Sequence, residues 1–256
     1  MSRVGGDGRW PPQRLCFVPR LGDYLARLEH ASLASLLARP AALARALRWA
    51  SELLGLRVEC LDVPAAWILH AAGWPAAFAE HGIEIGPPPA EAPAAHETAE
   101  RGPLLAVRDA LRALPASTSA PATLISLPSP ATLASAAGAG HEEWSRAVLQ
   151  ALIRSLGQID VLSGVMFDDD DGILALGRLL DHFQLAPICV RRPSDNRPPP
   201  PGALVARAVT LDALANRSPE IAGVASEMLA TTDGPVSPNV APEDLLRASR
   251  RVAGVD

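Results

Sequence analysis

The sequence contains no lysine, because all 23 of its basic residues are arginine. This absence excludes Schiff-base chemistry, a lysine general base and the lysine of a phosphate-binding loop. Aromatic residues make up only 4% of the chain, with a single tyrosine, so surfaces that stack nucleic-acid bases are not expected. Since the net charge is −5, we expect neither a nucleic acid nor a membrane as a partner.

Cysteine is sparse, and long hydrophobic runs are missing. Cys16, Cys60 and Cys189 lie far apart, which suits a reducing cytosol better than a disulfide framework. No cysteine pair has the CxxC spacing of a self-contained zinc site, and we expect no metal or other cofactor. No run approaches the ~20 apolar residues of a membrane span, and residues 1–13 form a flexible leader without the apolar core of a signal peptide. These features predict a cytoplasmic protein.

Apolar, strand-like segments alternate with amphipathic, helix-like ones along residues 14–256. This alternation favours an α/β fold with a parallel sheet in a single domain. The predicted strands are Arg14–Val18, Arg57–Val63, Ala122–Leu127, Ile159–Phe167, Ala186–Val190, Ala203–Leu211 and Ser226–Thr231. The predicted helices are Asp23–Leu37, Pro40–Leu54, Gly102–Leu114, His141–Leu156, Gly172–Phe183 and Pro242–Val252.

Six or seven such strands predict a TIM (β/α)8-type barrel that is trimmed or incomplete. A Rossmann-type sheet is the rival interpretation, but no GxGxxG follows the first strand. An incomplete barrel exposes a sheet edge, so a homodimer that covers this edge is a hypothesis.

Carboxylates follow several predicted strands. Asp168–Asp171 is a run of four that could hold Mg²⁺ through oxygen ligands, or could be a solvated loop that caps the next helix. Asp62, Asp212 and Asp233 also follow apolar runs, and with Asp168 they could form an acidic ring at a barrel mouth. Crowded carboxylates raise one another's pKa, which would supply a general acid or a cation site. The alternative is that each aspartate caps a helix.

Arginines follow predicted strands as well. Arg20, Arg191 and Arg192 are candidates for holding an anionic substrate, because guanidinium groups bind carboxylates in a bidentate way. The alternative is that they are ordinary surface arginines. His70 is a candidate acid or base because an imidazole titrates near neutrality. The alternative, which the helical pattern favours, is a structural histidine on a helix.

Five short motifs occur in order along residues 14–252. They are Arg20-Leu-Gly-Asp-Tyr-Leu25, Ala50-Ser-Glu-Leu-Leu-Gly55, Pro130-Ala-Thr-Leu-Ala134, Val165-Met-Phe-Asp168, and Thr231-Thr-Asp-Gly-Pro235 followed by Pro242-Glu-Asp244. This ordered set resembles the uroporphyrinogen decarboxylase family, which includes the corrinoid and coenzyme M methyltransferases. The resemblance implies a TIM barrel whose site lies at the C-terminal ends of the strands.

The resemblance implies a protein that binds a carboxylated small molecule, with a tetrapyrrole as one candidate, and decarboxylates it as a lyase. Arg20, Tyr24, Arg191 and Asp62 would then bind the anionic substrate. The proton would be managed by the predicted catalytic residues, which are Asp168, Asp233 and His70. We expect Asp168, Arg191 and Asp233 to meet around a single mouth.

The chain also departs from the family pattern. Pro19 and Asp23 stand where the decarboxylase has substrate-binding arginines, and Asp233 replaces the histidine of the closing motif. Cys189 could match a zinc-binding cysteine of the methyltransferases, but Pro187 stands at the position of the histidine ligand. Two alternatives therefore stay open: a methyltransferase with an altered metal site, and a non-catalytic binding or assembly protein of the same fold.

Overall fold

The computed structural model describes residues 16–79, 82–116, 120–192, 194–195, 197–210, 229–233, 235–237 and 239–252. The leader predicted at residues 1–13 and Asp212 lie outside these residues. The strands are β1 (Cys16–Val18), β2 (Val58–Asp62), β3 (Ala76–Ala79), β4 (Gly82–Ile85), β5 (Ala122–Leu127), β6 (Leu162–Phe167), β7 (Ala186–Arg191), β8 (Leu204–Val209) and β9 (Leu229–Thr232). The helices are α1 (Tyr24–Leu28), α2 (Leu33–Leu37), α3 (Pro40–Leu54), α4 (Ala65–Ala71), α5 (Ala95–Ala99), α6 (Gly102–Ala113), α7 (Pro130–Ala137), α8 (Glu142–Leu156), α9 (Asp170–His182) and α10 (Pro242–Val252).

Seven of the described strands form one parallel sheet in the order β1-β9-β8-β7-β6-β5-β2. Its two outer strands approach each other, because Arg20 bridges Cys60 in parallel and the Leu21 amide donates to the Cys60 carbonyl at 3.1 Å. The sheet is therefore a nearly closed barrel with helices around it. This confirms the predicted α/β fold class and the trimmed TIM barrel, with one strand fewer in the described residues than the usual eight.

The barrel encloses a small core of its own. Inward-facing side chains alternate with outward-facing ones along each strand, as the pleat requires. The enclosed cluster consists of Cys16, Val18, Val58, Cys60, Ala122, Leu124, Met166, Ile188, Val190, Ala206, Ala208 and Leu229. A larger apolar cluster lies between the outward strand faces and the helices. Burial of both strand faces explains why the sequence segments are apolar almost throughout.

Two segments differ from their sequence-based prediction. The helix expected over Asp23–Leu37 is two short helices, because His30 takes a left-handed φ of 50° and the Ser32 side chain accepts from the Ser35 amide to begin α2. The segment Trp67–Glu80, whose sequence pattern favours neither helix nor strand, contains most of α4 and strand β3, which pairs with β4 in an antiparallel hairpin. None of the described helices combines the length and the apolar composition that a membrane crossing requires.

Candidate active site at the barrel mouth

Polar residues continue the inward-facing alternation at the C-terminal ends of four neighbouring strands. Arg20 follows β1, Asp62 ends β2, Ser126 lies near the end of β5, and Asp168 follows β6. Asp62 and Ser126 are register partners across the β2–β5 pair. Parallel strands end on the same side of a barrel, so these residues meet at one mouth.

Arg20 is the centre of this cluster. Its Nε donates to Asp62 Oδ1 at 2.8 Å, its Nη1 to Asp168 Oδ1 at 2.5 Å, and its Nη2 to Asp168 Oδ2 at 3.4 Å. The side chains of Arg20 and Asp62 are 7% and 1% exposed, whereas that of Asp168 is 42% exposed. One guanidinium therefore serves two carboxylates, and the three groups carry a net charge of −1 when both are ionised.

Two buried polar atoms beside Arg20 have no well-formed hydrogen bond among the described residues. They are Asp62 Oδ2 and Ser126 Oγ. Burial raises the pKa of the Asp62 carboxyl, although the charge and hydrogen bond of Arg20 and the neighbouring Ser126 hydroxyl act in the opposite direction. Unsatisfied buried polar groups are rare in folded proteins, so these atoms mark a place suited to a polar ligand.

Asp23 adds a carboxyl that sequence reasoning had treated only as a departure from the family pattern. It lies at the start of α1, half-buried, and accepts a hydrogen bond from Trp67 Nε1 at 3.2 Å. Burial raises the pKa of Asp23 to about 6; the Trp67 bond opposes this shift and the nearby Asp62 charge adds to it. A carboxyl that titrates near neutrality can give or take a proton in catalysis.

A glycine brings the Asp23 segment close to β2. A Cβ added at Gly22 would lie 3.1 Å from the Asp62 carbonyl oxygen and 3.3 Å from its Cβ. Any larger residue would push the β1–α1 turn away from Asp62. The sequence signal for Asp23 is its position five residues after the buried strand β1, where only Arg20 had been predicted as a site residue.

Asp233, Tyr24 and His70 have different surroundings. Asp233 is exposed directly after β9, the neighbour of β1, where Thr232 Oγ1 accepts from the Arg20 amide at 3.3 Å. Tyr24 is fully buried in the outer core, its hydroxyl has no partner among the described residues, and burial raises its pKa to about 12. His70 lies on α4 with its ring edge-on to Phe78 at 5.4 Å.

The structure does not bring Arg191 to the Arg20 cluster. In β7 the inward-facing residues are Ile188 and Val190, so Arg191 points outward. There its guanidinium pairs with Asp170 through Nη2 and with Asp195 through Nη1, the latter at 3.0 Å. Among the described contacts, none joins Arg191 to Asp168.

Cys189 points outward as well. Its Sγ donates to Asp170 Oδ1 at 3.1 Å, and burial raises the pKa of this thiol to about 12, so it is not a thiolate near neutrality. Pro187 offers no ligand two residues earlier. In the described part of the chain, no three His, Cys, Asp or Glu side chains group as metal ligands. The residues therefore do not fit the zinc set of the methyltransferases, and no step is assigned to zinc.

Three of the four adjacent aspartates make different contacts. Asp168 binds Arg20, and Asp170 binds Arg191. Asp169 begins α9 by accepting the Gly172 amide at 3.2 Å, and it also accepts the Ser129 hydroxyl at 2.7 Å. The run as a whole therefore behaves as a helix-capping loop, while Asp168 alone joins the mouth.

Comparison with known proteins gives a likeness in structure only. No family model and no curated protein matches the sequence. A methyltransferase from Methanosarcina mazei superposes with a TM-score of 0.63 at 12% identity, over 96% of this chain and 95% of that chain. The homocysteine methyltransferase MmuM from Escherichia coli, in its apo form, gives a TM-score of 0.43 at 12% identity, over 93% and 96% of the two chains, which supports no argument. At such identity, the first likeness shows the fold alone.

Proposed function

We propose that the chain is a barrel methyltransferase whose mouth binds a small methylated cation, such as a quaternary methylammonium or a sulfonium compound. The observation that carries the proposal is the engagement of Arg20 by both Asp62 and Asp168. This pairing leaves the cluster with a surplus of negative charge. The likeness in fold to the methyltransferase described above supports the reaction type.

The charge of the mouth favours a cation. Asp23 and Asp233 bring further carboxyls to the same rim, beside the net charge of the Arg20 cluster. A quaternary ammonium or a sulfonium group has no hydrogen to donate, so a site recognises it through its charge. Partly buried carboxylates supply that charge where water screens it less.

In the proposed reaction, a thiol co-substrate accepts the methyl group. Asp23 accepts the proton of the thiol, and the resulting thiolate sulfur forms a bond to the methyl carbon. The bond from that carbon to the onium nitrogen or sulfur breaks, and the leaving atom keeps the electron pair. Asp23 suits the role because its pKa of about 6 keeps most of it ionised, yet basic, at pH 7.

Decarboxylation of a carboxylated small molecule is the second candidate. It is favoured by Arg192, which follows β7, is exposed and has no side-chain partner among the described residues. Arg192 would bind a substrate carboxylate; a second carboxylate would leave as CO₂, and protonated Asp23 would give its proton to the carbon that keeps the electron pair. If the chain binds either ligand without converting it, it is instead the non-catalytic binding protein of the same fold that the sequence left open.

Isothermal calorimetry with matched ligands tests the proposal. Choline carries a trimethylammonium group, and 3,3-dimethylbutanol has the same shape without the charge, so we expect only choline to bind. Asp168→Asn should weaken choline binding about tenfold, because it removes one charge from a half-exposed site. The control Asp244→Asn, on α10, should change nothing.

The same variant separates the two candidates by the sign of its effect. Asp168→Asn leaves Arg20 with one carboxylate fewer, so a site for anions would bind citrate more tightly. Equal binding of choline and its neutral isostere would overturn the cation proposal. Tighter citrate binding by Asp168→Asn, together with no binding of choline, would favour the decarboxylase.

A further inference from the structure

A cavity lies among helices on the outside of the barrel. Its volume is about 380 Å³, and its lining comes from α5, α6 and α8. Arg112 is in the last turn of α6 and Arg154 in the last turn of α8. These helices lead into the N-terminal ends of β5 and β6, so the cavity is at the opposite end of the barrel from the Arg20 cluster.

The lining is rich in guanidinium groups. Arg108, Arg112 and Arg154 face Glu100 in the lining, and Asp109 beside it accepts from Arg108 Nε at 3.2 Å, which leaves a surplus of one positive charge. Glu100 is already occupied, because it accepts from Arg108 Nη1 and from the Ser155 hydroxyl, the latter at 3.0 Å. The cavity therefore offers more positive charge than its own carboxylate neutralises.

Two of these arginines keep most of their donors free. Arg112 approaches Asp109 only at 3.8 Å, which is beyond hydrogen-bond distance, and its side chain is 52% exposed. Arg154 has no side-chain partner among the described residues. Each guanidinium carries five N–H donors in a fixed plane. The negative ends of the α6 and α8 dipoles stabilise these two cations but oppose an anion, so the binding of an anion here depends on the guanidinium donors.

We propose that this cavity binds a dianionic phosphoryl group, either free or on a small metabolite. A carboxylate presents two oxygens in one plane and is matched by a single arginine. A phosphoryl group presents three oxygens in three directions, and here the donors come from two separate helices with Ser155 and Gln158 beside them. The site would join α5, α6 and α8, so its occupation would stabilise the fold.

Thermal unfolding and calorimetry with inorganic pyrophosphate test this inference at constant ionic strength. Pyrophosphate should raise the melting temperature, whereas an equal ionic strength of sodium chloride should not. Arg154→Gln and Arg112→Gln should each weaken pyrophosphate binding about tenfold or more, because each removes charge-assisted hydrogen bonds. Glu100→Gln should strengthen it, because it removes the competing carboxylate.

Arg247→Gln is the matched control. Arg247 on α10 is 52% exposed and lies 3.2 Å from Asp244 three residues earlier, much as Arg112 is placed relative to Asp109. We expect this variant to bind pyrophosphate as the parent does. Equal losses in Arg247→Gln and Arg112→Gln would show non-specific attraction, and equal binding of succinate and pyrophosphate would refute the phosphoryl assignment. Either result would overturn the proposal without bearing on the barrel mouth.

Discussion

Replacement of Arg20 by methionine isolates the largest electrostatic term at the barrel mouth. Methionine keeps much of the aliphatic length of Arg20 but removes the charge that faces Asp62, which is 1% exposed. Removing one partner of a buried ion pair ordinarily costs about 3–5 kcal/mol of unfolding free energy, because the other charge stays buried and uncompensated. Asp168 contributes less, because its side chain is 42% exposed to water.

The loss of unfolding free energy in Arg20→Met has an upper limit that depends on pH. A buried carboxylate without a partner takes up a proton instead, and protonating a carboxyl whose unfolded pKa is about 3.9 costs about 4 kcal/mol at pH 7 but only about 1.5 kcal/mol at pH 5. We therefore expect Arg20→Met to lose up to about 4 kcal/mol at pH 7, and clearly less at pH 5. In the parent protein, burial already raises the pKa of Asp62, which is the same direction as the proton uptake expected in the variant.

Urea unfolding at the two pH values measures both quantities. Arg45→Met is the matched control, because Arg45 pairs with Glu29 on the surface and is 64% exposed, so we expect little loss at either pH. The double variant with Arg20→Met and Asp62→Asn removes both charges of the buried pair and should recover much of the stability at pH 7. A loss below about 1 kcal/mol at pH 7, or the same loss at both pH values, would refute the reasoning.

Three further predictions concern the supports of the mouth. Ser129→Ala should cost about 1–2 kcal/mol in urea unfolding, because Ser129 caps α7 and donates to Asp169. Gly164→Ala should lower the unfolding free energy by about 1–3 kcal/mol, because the added Cβ would lie 2.7 Å from the Ala186 carbonyl oxygen. The control Gly177→Ala, in open space on α9, should raise it by up to about 1 kcal/mol. Equal effects of the two variants would contradict the packing at Gly164. Folding raises the pKa of Asp23 to about 6, so the contribution of Asp23 to the unfolding free energy is full below pH 4 and is lost as the pH rises through 6. Asp23→Asn should therefore flatten the dependence of the unfolding free energy on pH in this range. An unchanged pH dependence would contradict the raised pKa.

Much of the fold could be predicted because it depends on local patterns. Each predicted strand whose residues are described became a barrel strand, and α3 matches its prediction at both ends because Pro40 suits the first turn and Gly55 takes a left-handed φ of 61°. The Asp23–Leu37 helix was wrong because one left-handed residue, His30, breaks a pattern that is otherwise periodic. A single backbone angle of this kind leaves no trace in hydrophobic periodicity.

The inward or outward direction of strand residues could not be predicted. Arg191 and Arg192 are adjacent, so they point to opposite faces of β7, and only one of them can continue the inward-facing set. Because β7 is apolar on both faces, its sequence does not reveal which one this is. The register with β6 decides it: Ile188 pairs with Met166, which faces the barrel interior, so Arg191 belongs to the outer layer.

The pairing of Arg20 with two carboxylates could not be predicted for a related reason. Strand-end arginines counted singly predict an anion site, but a guanidinium between two carboxylates no longer offers its charge to a ligand. Arg20 is 42 residues from Asp62 and 148 from Asp168, so this pairing exists only once β1, β2 and β6 end at the same rim. Burial, which raises the pKa of Asp23 to about 6, likewise comes from packing rather than from neighbours in sequence. The type of residue at a strand end can thus be predicted from sequence, whereas the ligand charge that it favours depends on which opposite charges the closed barrel places beside it.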